Sequence, residues 1–318
     1  MRHRLVLAAR AAFLLAVLVA TWLAFRGHGS EIGSALRSTP PLAVVGAAAL
    51  VLGGLGATSV AWLRVLAAFG RRLPGREGRS VFFVGQLGKY VPGGVWSIGA
   101  HAHLAAAHDV PAGVTAGTSL VFLGLNLATA SLVVGVATGT GAWDPPLADA
   151  LGPLLVVAGL VALVPAVVNR LAGLVAGRAG RLALDLRGMT VLVVLLLATW
   201  SCYAGAVVLL TPARDPSTFA LAAGAFALSY VVGVVVVVAP AGVGAREVTL
   251  VALLAPVVGL GPAGAVAVLT RVLHTAGDLG LALLTWALTR ALTRARAEGH
   301  RPDGRRWSGV QRRFPEQT

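Results

Sequence analysis

Residues 81–99 read VFFVGQLGKYVPGGVWSIG, and whether this stretch crosses a bilayer or turns back within it sets the topology of the whole chain. Residues 81–90 would form about 15 Å of helix at roughly 1.5 Å per residue, half of a hydrocarbon core about 30 Å thick. Pro92 then removes a backbone donor and drives Val91 out of helical dihedrals. Gly93 and Gly94 tolerate the left-handed dihedrals of a tight reversal. The stretch predicts a re-entrant hairpin that enters and leaves on one side.

The surroundings are those of a membrane protein. Of 318 residues, 57% are hydrophobic and 12% charged, with mean hydropathy +0.83; a soluble chain carries about 25% charged residues. Runs near the length of about 20 apolar residues that spans a bilayer occur at 5–25, 41–63, 114–140, 151–168, 189–210, 219–239 and 262–289. The first has a basic flank of Arg2, Arg4 and Arg10 but exceeds a signal-peptide core of roughly 7–15 residues, so it reads as a retained anchor. Cys202 is the only cysteine, which excludes an intramolecular disulfide.

The formal charge of +14 follows membrane topology rather than a nucleic-acid footprint, since no folded nucleic-acid-binding motif accompanies the basic clusters. Residues 64–79 hold five Arg and one Glu, 170–187 four Arg and one Asp, and the chain from Arg290 onward eight Arg. Residues 141–150 carry Asp144 and Asp149 with no basic residue. The positive-inside rule places the N-terminus, 64–79, 170–187 and the tail in the cytoplasm of a multi-pass cell-membrane protein. A spanning 81–99 would export the 170–187 cluster, so the charge pattern also favours re-entry. A second break, APAGVGARE, occupies 239–247. An even number of crossings then favours a short span at 248–259 before the last helix. The expected fold is all-α: about eight transmembrane helices with one or two Pro/Gly-broken re-entrant segments. They form a membrane domain at 1–290, followed by a basic cytoplasmic tail at 291–318 without fixed structure.

Irregular backbone at membrane depth survives where protein or a wet cavity satisfies its polar groups, and paired breaks in two halves of a chain point to a binding site. Lys89 ends the first half-helix and is the only lysine, the other 25 basic residues being arginine; a compact ammonium suits a phosphate oxygen. Arg246 and Glu247 follow Gly244 in the first turn of a new helix, whose free amides favour anions; an interfacial ion pair is the alternative. In the last helix Arg271, His274 and Asp278 share one stripe. Arg271 and Asp278 stand about 10.5 Å apart along the axis, so His274 is expected to bridge them. A lone charge at mid-membrane costs about 2.5–3.5 kcal/mol, so the stripe should face the interior, as a substrate or proton contact or as a structural network. His101, His103 and His108 lack Cys partners and a shared helix face, so no metal is expected. Asn126 is expected to bond between helices, and no catalytic triad, carboxylate pair or phosphate loop is present to suggest an enzyme or a cofactor.

The motif QLGKYVPGGVW at 86–96, followed far downstream by PAGVGARE at 240–247, resembles the transmembrane region of lysylphosphatidylglycerol synthases, a flippase-like family that also occurs alone. About 28 mostly polar residues follow Arg290, so the soluble aminoacyl-transferase activity of the full synthase is not carried over. The resemblance implies translocation or presentation of an anionic or polyprenyl-linked, glycosylated lipid. Together with the charge stripe it places the headgroup near Lys89, Tyr90, Pro92, Gly93, Gly94 and Trp96 on one side. Gly242, Gly244, Arg246, Glu247, Arg271, His274 and Asp278 would flank it on the other. The alternative is a non-catalytic membrane subunit that scaffolds a lipid- or glycan-modifying enzyme. Oligomeric state stays open.

Single cysteines introduced near Arg76, Arg178 and Arg305 should label only from the cytoplasmic side, and those near Gly33, Ala148 and Asp215 only from outside. External labelling near Arg178 would overturn the re-entrant reading of 81–99.

Overall fold

The structure is a computed structural model that describes residues 27–91, 95–141, 148–176, 181–212, 215–236 and 240–299. The expected first crossing at 5–25, the turn at 92–94, most of the 141–150 loop and the tail beyond 299 lie outside these residues. Among the described residues every element is helical: α1 (Gly29–Ser38), α2 (Pro41–Ala68), α3 (Gly75–Gln86), α4 (Trp96–Ala106), α5 (Ala112–Gly139), α6 (Ala148–Ala162), α7 (Pro165–Ala176), α8 (Leu186–Leu210), α9 (Pro216–Val235), α10 (Ala245–Val258) and α11 (Leu260–Gly299). Short 3₁₀ turns at Leu87–Tyr90 and Pro240–Gly242 mark the two breaks. α11 continues through the expected domain boundary at 290 to Gly299.

Local sequence sets the helix ends. Pro41 and Pro216 occupy first helical positions, where a missing N–H costs nothing. Asp185 and Asp215 cap α8 and α9 by accepting the amides of Gly188 and Thr218, both at 2.8 Å. The Ser217 hydroxyl, then the Thr218 amide and hydroxyl, hold the Asp215 carboxyl down to about 2, so this cap stays ionised until pH falls that far.

Six described helices are long and apolar enough to cross a membrane, or seven if α6 and α7 count as one span. That pair is bent by 70°, so the run at 151–168 is not one straight helix. Pro165 accounts for the bend: it lacks a donor and keeps Val164 out of helical dihedrals. Asn169 then ties α7 to the approach to α8, donating to the Leu184 carbonyl at 2.9 Å and accepting its amide at 3.1 Å.

Small residues set the helix spacing, as expected where lipid supplies no hydrophobic drive between helices. The Tyr203 ring of α8 lies over Gly54 of α2, and a Cβ on Gly135 of α5 would stand 2.7 Å from the Gly152 carbonyl of α6. Two buried indoles add hydrogen bonds to α5: Trp62 donates to Ser119 at 3.2 Å and Trp200 to Thr129 at 3.0 Å. Asn126, expected to bond between helices, instead donates to the Phe122 carbonyl of its own helix at 2.8 Å.

Three pairings define how α3 and α4 meet. His101 Nε2 lies 3.0 Å from the Phe82 carbonyl. Gly85 abuts the His101 ring, and a Cβ on Gly88 would stand 2.5 Å from the Ser97 amide nitrogen. From Phe82–His101 to Gly88–Ser97 one residue number rises as the other falls, so α3 and α4 form an antiparallel helical hairpin. α10 and α11 form another around Gly259, whose φ of 84° permits the turn.

Gly88→Ala should force this hairpin apart and cost about 1–3 kcal/mol, the usual range for overpacking. Gly124→Ala, whose Cβ would meet nothing within 4 Å, should leave thermal unfolding in detergent unchanged or slightly raised. Equal midpoints for the two variants would refute the close approach.

Candidate functional site

The two breaks converge on α11. Lys89 Nζ reaches Asp278 Oδ2 at 2.6 Å, and the Tyr90 hydroxyl donates to the same oxygen at 2.7 Å. Asp278 is almost wholly buried, its side chain 3% exposed against 33% for Lys89, so the carboxylate depends on these partners. The first break is thereby tied to the last helix. Trp96 opens α4 and is more than half exposed, and the expected contributions of Pro92, Gly93 and Gly94 fall outside the described residues.

The second break leans on Arg271. Ala241 and Gly242 adopt positive φ of 48° and 70°, which frees their peptide groups from helical hydrogen bonding. Gly242 is required at its position: a Cβ there would lie 2.7 Å from the Gly233 backbone. Arg271 donates to the Ala241 carbonyl at 2.9 Å and pairs with Glu247 at 3.4 Å. Glu247 in turn accepts the Gly244 amide at 2.6 Å, closing the start of α10. The N–H of Gly244, the residue that precedes the helix, is thus taken by a protein side chain.

The stripe of Arg271, His274 and Asp278 faces inward as expected, but His274 does not bridge its neighbours. Its Nδ1 stands 2.8 Å from the Thr270 carbonyl, and its ring is held between Phe226 at 5.2 Å and Tyr203 at 4.7 Å. Each charge finds a partner on another element instead: Asp278 in the first break, Arg271 in the second.

Arg246 is different. Its guanidinium lies over Phe226 at 5.4 Å and Tyr230 at 5.7 Å, and among the described residues no carboxylate pairs with it within 4.0 Å. Three cations (Lys89, Arg246, Arg271) thus share two carboxylates (Glu247, Asp278), leaving one positive charge unmatched. Arg246 lines a cavity of about 220 Å³ between the breaks, with Gln86, Lys89 and Ser97 on one side and Gly233 and Gly242 on the other. His101 also lines it, wedged against Phe82 and Trp62 and within 3.2 Å of Ser119. The aromatic residues around Arg246 are absent from the sequence-derived site, although Phe226 and Tyr230 recur at a spacing of four in a chain only 6% aromatic.

A sequence model of the lysylphosphatidylglycerol synthase TM region matches residues 8–282. No curated protein matches the chain.

Lys89→Met would strand the Asp278 carboxylate, and removing one partner of a buried pair costs about 3–5 kcal/mol, less here because Lys89 is a third exposed. Lys89→Met/Asp278→Asn should cost less than the sum of the single variants in a double-mutant cycle of detergent unfolding. Arg271→Gln/Asp278→Asn should show no such recovery, because those residues belong to different pairs. Strict additivity for the first pair would refute the contact.

Proposed function

We propose that this chain, which belongs to the lysylphosphatidylglycerol synthase transmembrane-region family, is a flippase-like membrane protein that binds an anionic lipid headgroup between its two broken segments. Family membership supports a membrane protein concerned with lipid modification or translocation. The observation that carries the reading further is the unmatched guanidinium of Arg246 on the wall of the 220 Å³ cavity. Arginine presents a planar fork of donors that suits phosphate oxygens. A charge inside a membrane protein that lacks a protein counter-ion marks a substrate or ion pathway.

Lys89 would be the second contact. It is the most exposed member of its pair, so its ammonium can turn from Asp278 to an entering phosphate while Tyr90 keeps its hydrogen bond to the carboxylate. In this reading 81–99 is re-entrant, both chain ends are cytoplasmic, and the headgroup enters from the cytoplasmic leaflet. The chain acts on its lipid without covalent chemistry.

Native mass spectrometry of protein extracted gently from a mixed bilayer should find phosphatidylglycerol retained over phosphatidylcholine. Arg246→Gln should lower the retained anionic lipid about tenfold, equivalent to the loss of one charge-assisted contact of about 1.4 kcal/mol. Retention of both lipids in equal amounts, or no change in Arg246→Gln, would overturn the reading.

A further inference from the structure

His274, like Arg246, is an ionisable side chain of the cluster that neither ion pair employs. The carbonyl of Thr270 can only accept, so the 2.8 Å contact fixes the proton on Nδ1 and leaves the lone pair on Nε2. Nε2 is buried and without a partner among the described residues. An orphan buried acceptor costs about 1–3 kcal/mol, so its persistence asks for an occupant. A void of about 20 Å³ lies against His274, walled also by Ser229, Arg246, Glu247, Thr270 and Arg271. That is room for about one water, enough to carry a proton to the ring and too small for a headgroup.

The charges that face this imidazole come from every element packed around it. Arg271 and Asp278 share its helix, and Arg246 and Glu247 approach from α10. Lys89 and Tyr90 approach through Asp278, Tyr203 from α8, and Tyr230 from α9 by way of Arg246. α2 contributes apolar atoms of Val51, Leu52 and Leu55 against Gly277. With His274 neutral the set carries one net positive charge. Protonation alone would raise this to two in a site of low dielectric, whereas protonation together with a bound anion would leave it at one.

We propose that His274 Nε2 is a proton-binding site coupled to occupancy of the neighbouring cavity, so that an anionic headgroup and a proton bind together. The inference rests on the headgroup reading above. Only a proton moves: it joins the Nε2 lone pair by way of the void when the anion arrives and leaves by the same route when the anion departs. Linkage makes the effect reciprocal, so each ligand strengthens the other by the same factor. A proton gradient across the membrane would then bias the direction in which the lipid is carried.

The test measures phosphatidylglycerol affinity for the full chain in nanodiscs between about pH 8 and about pH 5, the range in which an imidazole titrates; a phosphodiester stays ionised throughout. The wild type should bind about tenfold more tightly at the acid end, and His274→Gln should bind with no slope. A pH-indicator measurement in weak buffer near the midpoint should show proton uptake when phosphatidylglycerol, but not phosphatidylcholine, is added to wild type. This second readout needs no variant and holds even if His274→Gln is poorly folded. A flat wild-type profile without proton uptake, with binding still lost in Arg246→Gln, overturns the proton site and leaves the headgroup reading standing. A slope that survives unchanged in His274→Gln also overturns the proton site. Absence of phosphatidylglycerol binding at every pH overturns both.

Discussion

Peptide groups that leave a helix inside an apolar bundle lose their partners and have no bulk water to replace them. The chain departs from helical dihedrals at Ala241, Gly242 and Gly244, and the charged residues around that break compensate for the departure. Arg271 takes the Ala241 carbonyl, Glu247 takes the Gly244 amide, and the two side chains then pair with each other. An arginine and a glutamate within an apolar chain are costly in isolation; as a closed ring with the broken backbone they satisfy one another.

The same helix supports the other break. Asp278 lies two turns beyond Arg271 on α11 and holds both Lys89 and Tyr90. Two irregular segments, far apart in sequence, therefore lean on a single stripe of α11, and the space between them becomes the cavity that Arg246 lines. Among the described residues Arg246 has neither a broken peptide nor a carboxylate to serve. Stacking on Phe226 and Tyr230 holds its guanidinium in place, because aromatic faces attract a cation without neutralising it. That difference separates Arg246, left for the proposed headgroup, from Arg271 and Glu247, which are committed to the broken backbone.

Much of this was legible in the chain. The apolar runs announced a membrane protein, and PAGVG announced the break at 240–244, because proline and glycine act on their own dihedrals and need no neighbour to do so; the turn expected at 92–94 lies outside the described residues. Spacing of three and four placed Arg271, His274 and Asp278 on one face. It did not say what that face meets: a bridge through His274 was the natural expectation from one helix alone, and the structure gives each charge a partner elsewhere. Pro165 carried a signal for the α6–α7 bend that the apolar run concealed. Asn126 shows the opposite case, a polar side chain that looked interhelical and folds back onto its own carbonyl.

By itself the sequence determined the membrane class, the positions of the breaks and the inward face of the last helix. These follow from hydropathy, backbone stereochemistry and helical periodicity, all of which act over a few residues. Only the tertiary structure decided which charges pair, that the two breaks share one cavity, and that Arg246 and His274 stay outside both ion pairs. Tyr90 and Asp278 meet across 188 positions. No local property of either residue encodes that meeting; it arises when helix packing brings their faces to hydrogen-bond distance.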